Sequence, residues 1–345
     1  MKMVSLCHPV RIRTCGKFAT RNAAAKVLCS METPPSQSTI KVVIIGATKE
    51  IGRTAIVAVS KARGMELAGA IDSQGIGEDA GQVLTVHSMC YFPCTALVSH
   101  VQSPSCCFSS LSRTLCECWH IALQISGMEE PLEIPVLNDL TMVLGSIAQS
   151  RATGVVVDFS EPSTVYDNVK QAAAFGLSSI VYVPKIELDT VTELSAFCEK
   201  ASMGCLVAPT LSIGSVLLQQ AIQASFHYSN AEIVESKPNP SDLPSQDAIQ
   251  IANNISDLGQ IYNRKDMDTS NPARGQVLGE DGVRVHSMVL PGLVSSTSIN
   301  FSGPGEIYTL RHDVTNVQCL MPGLILAIRK VVRLKNLIYG LEKFL

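Results

Sequence analysis

The sequence predicts an α/β protein in which a mixed α+β region interrupts a parallel-sheet domain. Between residues 40 and 209, short runs of apolar, β-branched residues alternate with amphipathic helical segments, which is typical of buried parallel strands and their crossover helices. Strand-like segments follow at 231–235 and 283–292, and alternating apolar residues from Ile299 to Thr309 predict a hairpin. Two helical runs between Leu320 and Leu345 are expected to return to the first domain.

Length and composition narrow the class of protein. The 345 residues predict about two domains, and a hydrophobic content of 46% is sufficient for a substantial core. The formal net charge of -3 gives no electrostatic basis for nucleic-acid binding. No apolar run reaches the roughly 20 residues that a transmembrane helix needs, so we expect no membrane span.

The N-terminal segment has the composition of a targeting sequence. Its first 31 residues contain six basic and no acidic residues, and Ser, Thr and Ala fill much of the rest. This pattern is typical of an organelle transit peptide. The alternative is a disordered basic N-terminus without an address. Either way, residues 1–39 are left out of the fold.

A βαβ unit begins the first domain. The apolar run Ile40–Ile45 predicts a buried strand, and 53–63 shows the apolar spacing of a helix that Gly64 ends. Glu66–Ile71 predicts the second strand of the unit. The glycine-containing turn 46–52 joins the first strand to the helix, which is the setting of a dinucleotide-binding fingerprint. The sequence therefore predicts a Rossmann-like domain.

The turn supplies most of the candidate cofactor residues. Gly46 permits a tight turn, Gly52 permits close packing of helix on strand, and the helix N-terminus offers free N–H groups to a pyrophosphate. Asp72 ends the second strand and is a candidate acceptor for the adenosine ribose. Lys49 stands where the middle glycine is expected, so its side chain obstructs the backbone, although its ammonium is a candidate phosphate ligand. Ala47 and Ile51 complete the candidate turn.

One loop in the second half carries a family resemblance. Residues 232–248 resemble the substrate loop of dihydrodipicolinate reductases, in which a strand ending in Glu leads to a His-His pair, a Lys and then Asp-Ala-Pro-Ser-Gly-Thr-Ala. The strand with its Glu, the Asp-x-Pro-Ser frame and the final Ala are retained. The residues that do the family's chemistry are replaced. They are Lys237-Pro238 for the His pair, Ser241 for the Lys and Gln246-Asp247 for Gly-Thr.

The resemblance implies further cofactor residues and further losses. Asp158 and Phe159 match an Asp-Phe segment that lies near the cofactor in the family, and Thr210 takes the place of a family Asn. Val183–Ile186 replaces a Gly-Thr-Thr-Gly segment on which the nicotinamide lies. Val289 stands where the family has an Arg.

These departures predict the loss of reductase chemistry. A proton donor must be titratable and within hydrogen-bond reach of the substrate, and neither Pro238 nor Ser241 satisfies this requirement. We therefore expect no catalytic residue of the family kind. Lys237 is a candidate replacement, with a solvated or ion-paired surface Lys as the alternative. His286 and His312 are expected to be structural, and Ser245 is expected to cap the helix that follows it.

The predicted domain boundaries follow from this comparison. A Rossmann-like nucleotide domain spans 40–209, a substrate-type or oligomerisation domain spans 210–314, and helices at 315–345 return to the first domain. Residues 82–127 interrupt the first domain with six Cys and no clear periodicity. Their Cys spacings do not form paired zinc knuckles. We favour translated non-coding sequence over a metal site.

Two C-terminal segments, 274–292 and 320–345, resemble a plant branch of the family. That resemblance implies a stromal protein required for assembly or stability of the chloroplast NAD(P)H dehydrogenase-like complex, whose subunits or assembly intermediates would be its partners. Bound NADPH or NADH would be weak or vestigial, and no metal is expected. Active relatives are tetramers through the second domain, which makes self-association an expectation. The alternative is an NAD(P)H-dependent 4-hydroxy-tetrahydrodipicolinate reductase of lysine biosynthesis.

Overall fold

The computed structural model describes residues 39–81 and 131–345, apart from 221, 223–225, 240–242, 260, 265–270 and 279–281. The leader predicted at 1–39, except its last residue, and the insert predicted at 82–127 lie outside the described residues, as do Ser241 and Asp242. Among the described residues, no helix is long and apolar enough to cross a membrane.

The first domain is built on a parallel sheet. Its strands run in the order β12-β6-β5-β4-β1-β2-β3, and every adjacent pair is parallel. Near-continuous burial of the central strands β1 and β4 fits a sheet covered on both faces. The strands are β1 Ile40–Ile45, β2 Met65–Ile71, β3 Val136–Leu137, β4 Gly154–Asp158, β5 Ser178–Val181, β6 Cys205–Val207 and β12 Leu337–Tyr339.

Helices cover both faces of this sheet. One face packs against α1 and α7 through a core that includes Ile44, Ile56 and Leu324. The other face packs against α2, α3 and α4 through two smaller cores. The helices are α1 Glu50–Lys61, α2 Leu140–Gln149, α3 Pro162–Ala174, α4 Leu188–Ala201 and α7 Met321–Val331.

The second domain is a mixed five-stranded sheet. Its order is β11-β10-β7-β9-β8, with β7 and β9 parallel and the other pairs antiparallel. Helices α5 and α6 cover one face, and their core includes Ile233, Ile251 and Phe301. The predicted fold class is confirmed. The elements are α5 Ile213–Gln220, β7 Asn230–Lys237, α6 Gln246–Ser256, β8 Gln276–Leu278, β9 Val283–Val289, β10 Ser295–Gly303 and β11 Glu306–Val314.

Three element boundaries differ from the sequence prediction. Helix α1 begins at Glu50 rather than at 53, because Lys49 acts as its N-cap and its carbonyl accepts the Arg53 N–H at 2.9 Å. The apolar spacing of residues 215–227 predicts an amphipathic helix, whereas the regular helix spans Ile213–Gln220. The second C-terminal helical run is replaced by β12 and a short 3-10 helix, because Leu337–Tyr339 pairs with the open edge of β6.

Candidate functional site

The glycine turn lies at the carboxyl edge of the first sheet. The chain leaves β1 toward β2 on one side and later places β4 on the other side, so the turn stands at the topological switch point, where α/β folds bind ligands. Gly46 has a φ of +79°, which favours glycine. A Cβ on Gly52 would overlap the Gly46 carbonyl oxygen. Both glycines therefore serve the close approach of helix and turn.

Lys49 bridges the turn and the loop after β4. Its backbone is the N-cap of α1. Its ammonium donates hydrogen bonds to the carbonyl oxygens of Phe159 at 2.8 Å and Ser160 at 2.7 Å. The side chain therefore crosses from the helix N-terminus to the exit of β4, while its outer side stays exposed.

Asp72 is held by the turn itself. Its Oδ2 accepts hydrogen bonds from the Thr48 backbone N–H at 2.9 Å and the Thr48 hydroxyl at 2.7 Å, and its Oδ1 accepts the Gln74 N–H at 3.1 Å. Burial raises the pKa of Asp72, but these hydrogen bonds outweigh burial and hold the pKa below its ordinary value. The carboxylate is therefore ionised and already engaged.

The remaining cofactor candidates serve local architecture. Asp158 is buried at the end of β4 and accepts hydrogen bonds from the Ser160 N–H at 2.8 Å and the Asn168 amide at 2.9 Å. The Phe159 ring is buried and meets Tyr182 edge to face. Thr210 follows β6, where its hydroxyl accepts the Ser212 N–H at 3.2 Å. Of the other two turn candidates, Ala47 is buried and Ile51 half-buried.

The segment after β5 lies at the same edge of the sheet. Val183 is buried and belongs to the core between α3 and α4, and Ile186 packs against that core. Pro184 is exposed, and Lys185 has a φ of +58°. Apolar side chains thus stand where the sequence comparison expects small residues beneath a nicotinamide.

A group of titratable side chains meets where the two domains join. Asp247 lies in the first turn of α6. Burial and the neighbouring Glu235 carboxylate raise the pKa of Asp247, although Lys237 and His312 act in the opposite direction. Burial, together with the charges of Asp247 and Cys319, raises the pKa of Tyr182 to about 12. These side chains therefore lie within electrostatic reach of one another at the domain junction, which we call the cleft.

The candidate Lys237 is engaged in this cleft. Its ammonium donates to the Ser295 hydroxyl at 2.9 Å, and its charge acts on Asp247. A group that gives a proton to a substrate must be within hydrogen-bond reach of it. For Lys237 to do so, its ammonium would have to leave Ser295 and overcome the attraction of an adjacent carboxylate.

Glu235 anchors the loop that the sequence comparison singled out. Its carboxylate is fully buried and accepts the Ser245 N–H at 3.0 and 3.2 Å and the Ser287 hydroxyl at 2.6 Å. Ser245 caps α6 as predicted, since its hydroxyl accepts the Ala248 N–H at 3.3 Å. Glu235 thereby ties β7 and β9 to the start of α6.

The two histidines that were expected to be structural have different environments. His286 lies beside Glu232, with Nε2 and Oε2 3.0 Å apart, and Arg274 binds the other oxygen of Glu232 at 2.8 Å. This arrangement fits a structural role. His312 instead approaches the Ser212 hydroxyl at 3.5 Å and faces the cleft with Asp247.

Sequence reasoning missed several residues of the cleft. Tyr182 and Cys319 carry no local motif, and Tyr182 meets Asp247 and Cys319 only because separate elements converge. The alternation of polar and apolar residues along a strand indicates which side chains share a face of the sheet, but not which residues they contact. Within the described part of the chain, no group of three or more His, Cys, Asp or Glu residues is placed to hold a metal ion.

Comparison with known proteins agrees with this architecture. The N-terminal model of dihydrodipicolinate reductase matches residues 40–107 and 116–211, and the C-terminal model matches residues 214–345. The chain belongs to the dihydrodipicolinate reductase family. The fold is thus that of NAD(P)H-dependent reductases.

Relatives of both the reductase-like and the reductase kind are found. The chain is 62% identical over 312 residues to the chloroplastic dihydrodipicolinate reductase-like protein CRR1 of Arabidopsis thaliana, covering 90% of this chain and 91% of that protein. It is 39% identical over 319 residues to 4-hydroxy-tetrahydrodipicolinate reductase of Nostoc sp., covering 90% and 99%. Both levels of identity extend through the two domains.

A solved structure supports the same assignment. Dipicolinate-bound dihydrodipicolinate reductase from Paenisporosarcina sp. TG-14 superimposes with a TM-score of 0.65 at 25% identity, covering 89% of this chain and 100% of that one. The family fold implies a nicotinamide dinucleotide. In this chain, however, the phosphate end of such a ligand would meet the Lys49 side chain, and its ribose would compete with Thr48 for Asp72.

Proposed function

We propose that this chain is a reductase-like protein without reductase activity that supports assembly or stability of the chloroplast NAD(P)H dehydrogenase-like complex. The observation that carries the proposal is the composition of the cleft. There the Lys237 ammonium donates a hydrogen bond to Ser295 and is attracted by the Asp247 carboxylate. Pro238 stands in the second position of the family's His pair. A family member that has lost its proton donor but keeps its fold is suited to a binding role.

The charges of the cleft also argue against reductase activity. A reductase that acts on a dianion needs cationic groups that converge on the substrate and remain available to it. Asp247 places a carboxylate at the start of α6, where helix N–H groups would otherwise receive a substrate carboxylate. An acid in this position repels an anionic substrate, so the family substrate is disfavoured here.

The proposed location and partners rest on sequence similarity. The reductase-like relative from Arabidopsis thaliana is named chloroplastic, and the basic, acid-free leader of this chain is typical of a transit peptide. We place the mature protein in the stroma. Its proposed partners are subunits or assembly intermediates of the NAD(P)H dehydrogenase-like complex, and the protein self-associates through its second domain.

Two measurements test this function together. The first is turnover of the family substrate with NADPH and with NADH, for which we expect no activity above background. The second is complementation of a plant line that lacks this protein, followed by native electrophoresis of the dehydrogenase-like complex. We expect both the wild type and the Lys237→Ala variant to restore the complex. Turnover at rates typical of reductases, or failure of the wild type to restore the complex, would overturn the proposal.

The alternative function is 4-hydroxy-tetrahydrodipicolinate reductase. It is favoured by the similarity to the enzyme of Nostoc sp. and by the glycine turn, with Gly46, Gly52 and Asp72 in place. On this alternative, the wild type turns over the substrate and Lys237→Ala loses that activity. The assay that tests the first function therefore also decides this one.

A further inference from the structure

We propose that Lys49 closes the phosphate groove of this chain to dinucleotides by placing its own ammonium in it. The inference deepens the proposed non-catalytic role and rests on it for its biological meaning. It concerns a ligand site, however, so its test measures affinity and not turnover.

The first step is the position of the groove. In a βαβ unit at a topological switch point, the pyrophosphate lies at the N-terminus of the first helix, between that turn and the loop of the adjacent strand. Here those boundaries are the N-terminus of α1 and the loop that follows β4. Lys49 is the N-cap of α1, and its ammonium ends on Phe159 and Ser160, the first residues after β4. The side chain therefore runs across the groove.

The second step is the strength of this contact. A lysine at a helix N-terminus faces the positive end of the helix dipole, so its charge needs acceptors elsewhere. Two carbonyl oxygens at 2.8 and 2.7 Å supply them through charge-assisted hydrogen bonds, which are stronger than neutral ones. A ligand that moves the ammonium must replace both bonds. Lys49 is exposed, so its side chain lies on the solvent side of the groove, where a ligand would enter.

A second, independent contact competes with a ligand at the ribose end. Asp72 would bind a ribose hydroxyl through its carboxylate, but its Oδ2 already accepts both the backbone and the side-chain donor of Thr48, and its Oδ1 accepts the Gln74 N–H. Thr48 and Lys49 are adjacent in the turn. These two adjacent residues thus supply an internal cation at the phosphate position and an internal hydroxyl at the ribose position.

The test is calorimetric titration of NADPH and of NADH into the full chain and into Lys49→Gly. The backbone of Lys49 is extended, with φ at -65° and ψ at 153°, so glycine can replace it without a change of conformation. We expect Lys49→Gly to bind NADPH at least about tenfold more tightly than the wild type. Addition of Thr48→Ala to Lys49→Gly should tighten binding further.

Matched variants separate the ammonium from other effects. Lys49→Met keeps the bulk and removes the charge, so it should bind less tightly than Lys49→Gly. Lys61→Gly removes a lysine from the far end of the same helix and should leave affinity unchanged. Should Lys49→Gly fold poorly by circular dichroism, Lys49→Ala replaces it, since alanine also removes the ammonium.

The outcomes divide clearly. Tighter binding by Lys49→Gly supports the inference. Equal affinity in wild type and variant, no binding by either, or weaker binding by the variant would each overturn it, the last by showing that Lys49 is a phosphate ligand. None of these results bears on assembly of the dehydrogenase-like complex. Failure of the wild type to restore that complex would reject the proposed function and leave the affinity comparison intact.

Discussion

At the scale of single residues, buried carboxylates determine how the loop before α6 is held. Glu235 has no exposed surface and accepts donors from two other elements, the Ser245 N–H and the Ser287 hydroxyl. Because unpaired polar groups are costly in the interior, such an acceptor organises the donors around it. Glu235, which matches the family sequence, therefore has a structural role in this chain.

Glu235→Ala should lower the free energy of unfolding by about 2–4 kcal/mol, because it leaves the buried Ser245 N–H without its acceptor and creates a cavity. Glu235→Gln should cost clearly less, since its amide oxygen still accepts and the Ser287 hydroxyl can reverse. Urea unfolding measures both. Glu66→Ala, which removes an exposed ion pair with Lys41, is the control and should cost at most about 1 kcal/mol. Equal losses for the two Glu235 variants would contradict this account.

Asp247 predicts a pH dependence of stability. Burial raises its pKa from the ordinary value of 3.8 in the folded chain, so the folded state holds its proton more tightly than the unfolded state does. The contribution of this group to stability therefore falls as pH rises from 3.8 through the folded pKa, and then levels off. Asp247→Asn should be more stable than wild type at pH 7, by about 0.5–2 kcal/mol, and equal to it near pH 3.

Denaturant unfolding across this pH range checks the prediction. Asp189→Asn is the matched control, because Asp189 is an exposed acid in the first turn of α4, and its substitution should leave the pH profile unchanged. A less stable Asp247→Asn at pH 7 would show instead that attraction to Lys237 and His312 exceeds the cost of burying the charge.

At the scale of elements, the junction of β1 and α1 depends on backbone proximity. Gly52 lies in the first turn of α1, directly against the Gly46 carbonyl. A side chain here would meet backbone atoms, which cannot rotate away. The turn is consequently specified by sterics, whether or not a nucleotide binds in it.

Gly52→Ala should lower the free energy of unfolding by more than about 2 kcal/mol, since its Cβ would overlap the Gly46 carbonyl oxygen. Gly145→Ala provides the contrast. Gly145 lies inside α2, where a Cβ would be 3.9 Å from the Phe175 ring, so alanine should stabilise the helix by about 0.5–1 kcal/mol. Thermal melts compare the two variants. A neutral Gly52→Ala would mean that α1 can shift away from the turn.

At the scale of the whole molecule, the ends on either side of the predicted insert lie together. One oxygen of Asp79 accepts the Gly81 N–H at 2.8 Å and the Leu132 N–H at 3.1 Å, and its other oxygen accepts the Ile134 N–H at 3.1 Å. The first domain therefore needs only a short connection here. Such a geometry fits the interpretation of residues 82–127 as an interruption of one domain.

Deletion of residues 82–127, with Gly81 joined to Met128, should raise both soluble yield and melting temperature. Closing a shorter connection costs less chain entropy, and the change from about 50 to about 4 residues corresponds to roughly 2 kcal/mol. Removal of only residues 95–114 should give an intermediate result. Unchanged yield and melting temperature would show that the segment is an accommodated part of the protein.

The local sequence pattern was sufficient to predict many of the secondary-structure elements of this protein. Several features depend only on residues that are neighbours in sequence, so their spacing predicts them. These are the strand, turn and helix around Gly46, the hairpin of β10 and β11, and the cap at Ser245. The replacement of the family's His pair and Lys is likewise visible in sequence, because it is a statement about residue identity. Element ends were less predictable, since β12 forms only by pairing with β6.

The folded chain alone decides what the retained and the replaced residues contact. Lys49 and Phe159 are 110 positions apart, and Glu235 and Ser287 are 52 apart, so no local pattern records that they bind each other. Whether Lys49 reaches outward to a ligand or inward to two carbonyls depends on where β4 ends relative to α1. That placement follows from the packing of the whole sheet, because hydrogen bonds between distant segments form only after tertiary structure has brought their donors and acceptors together.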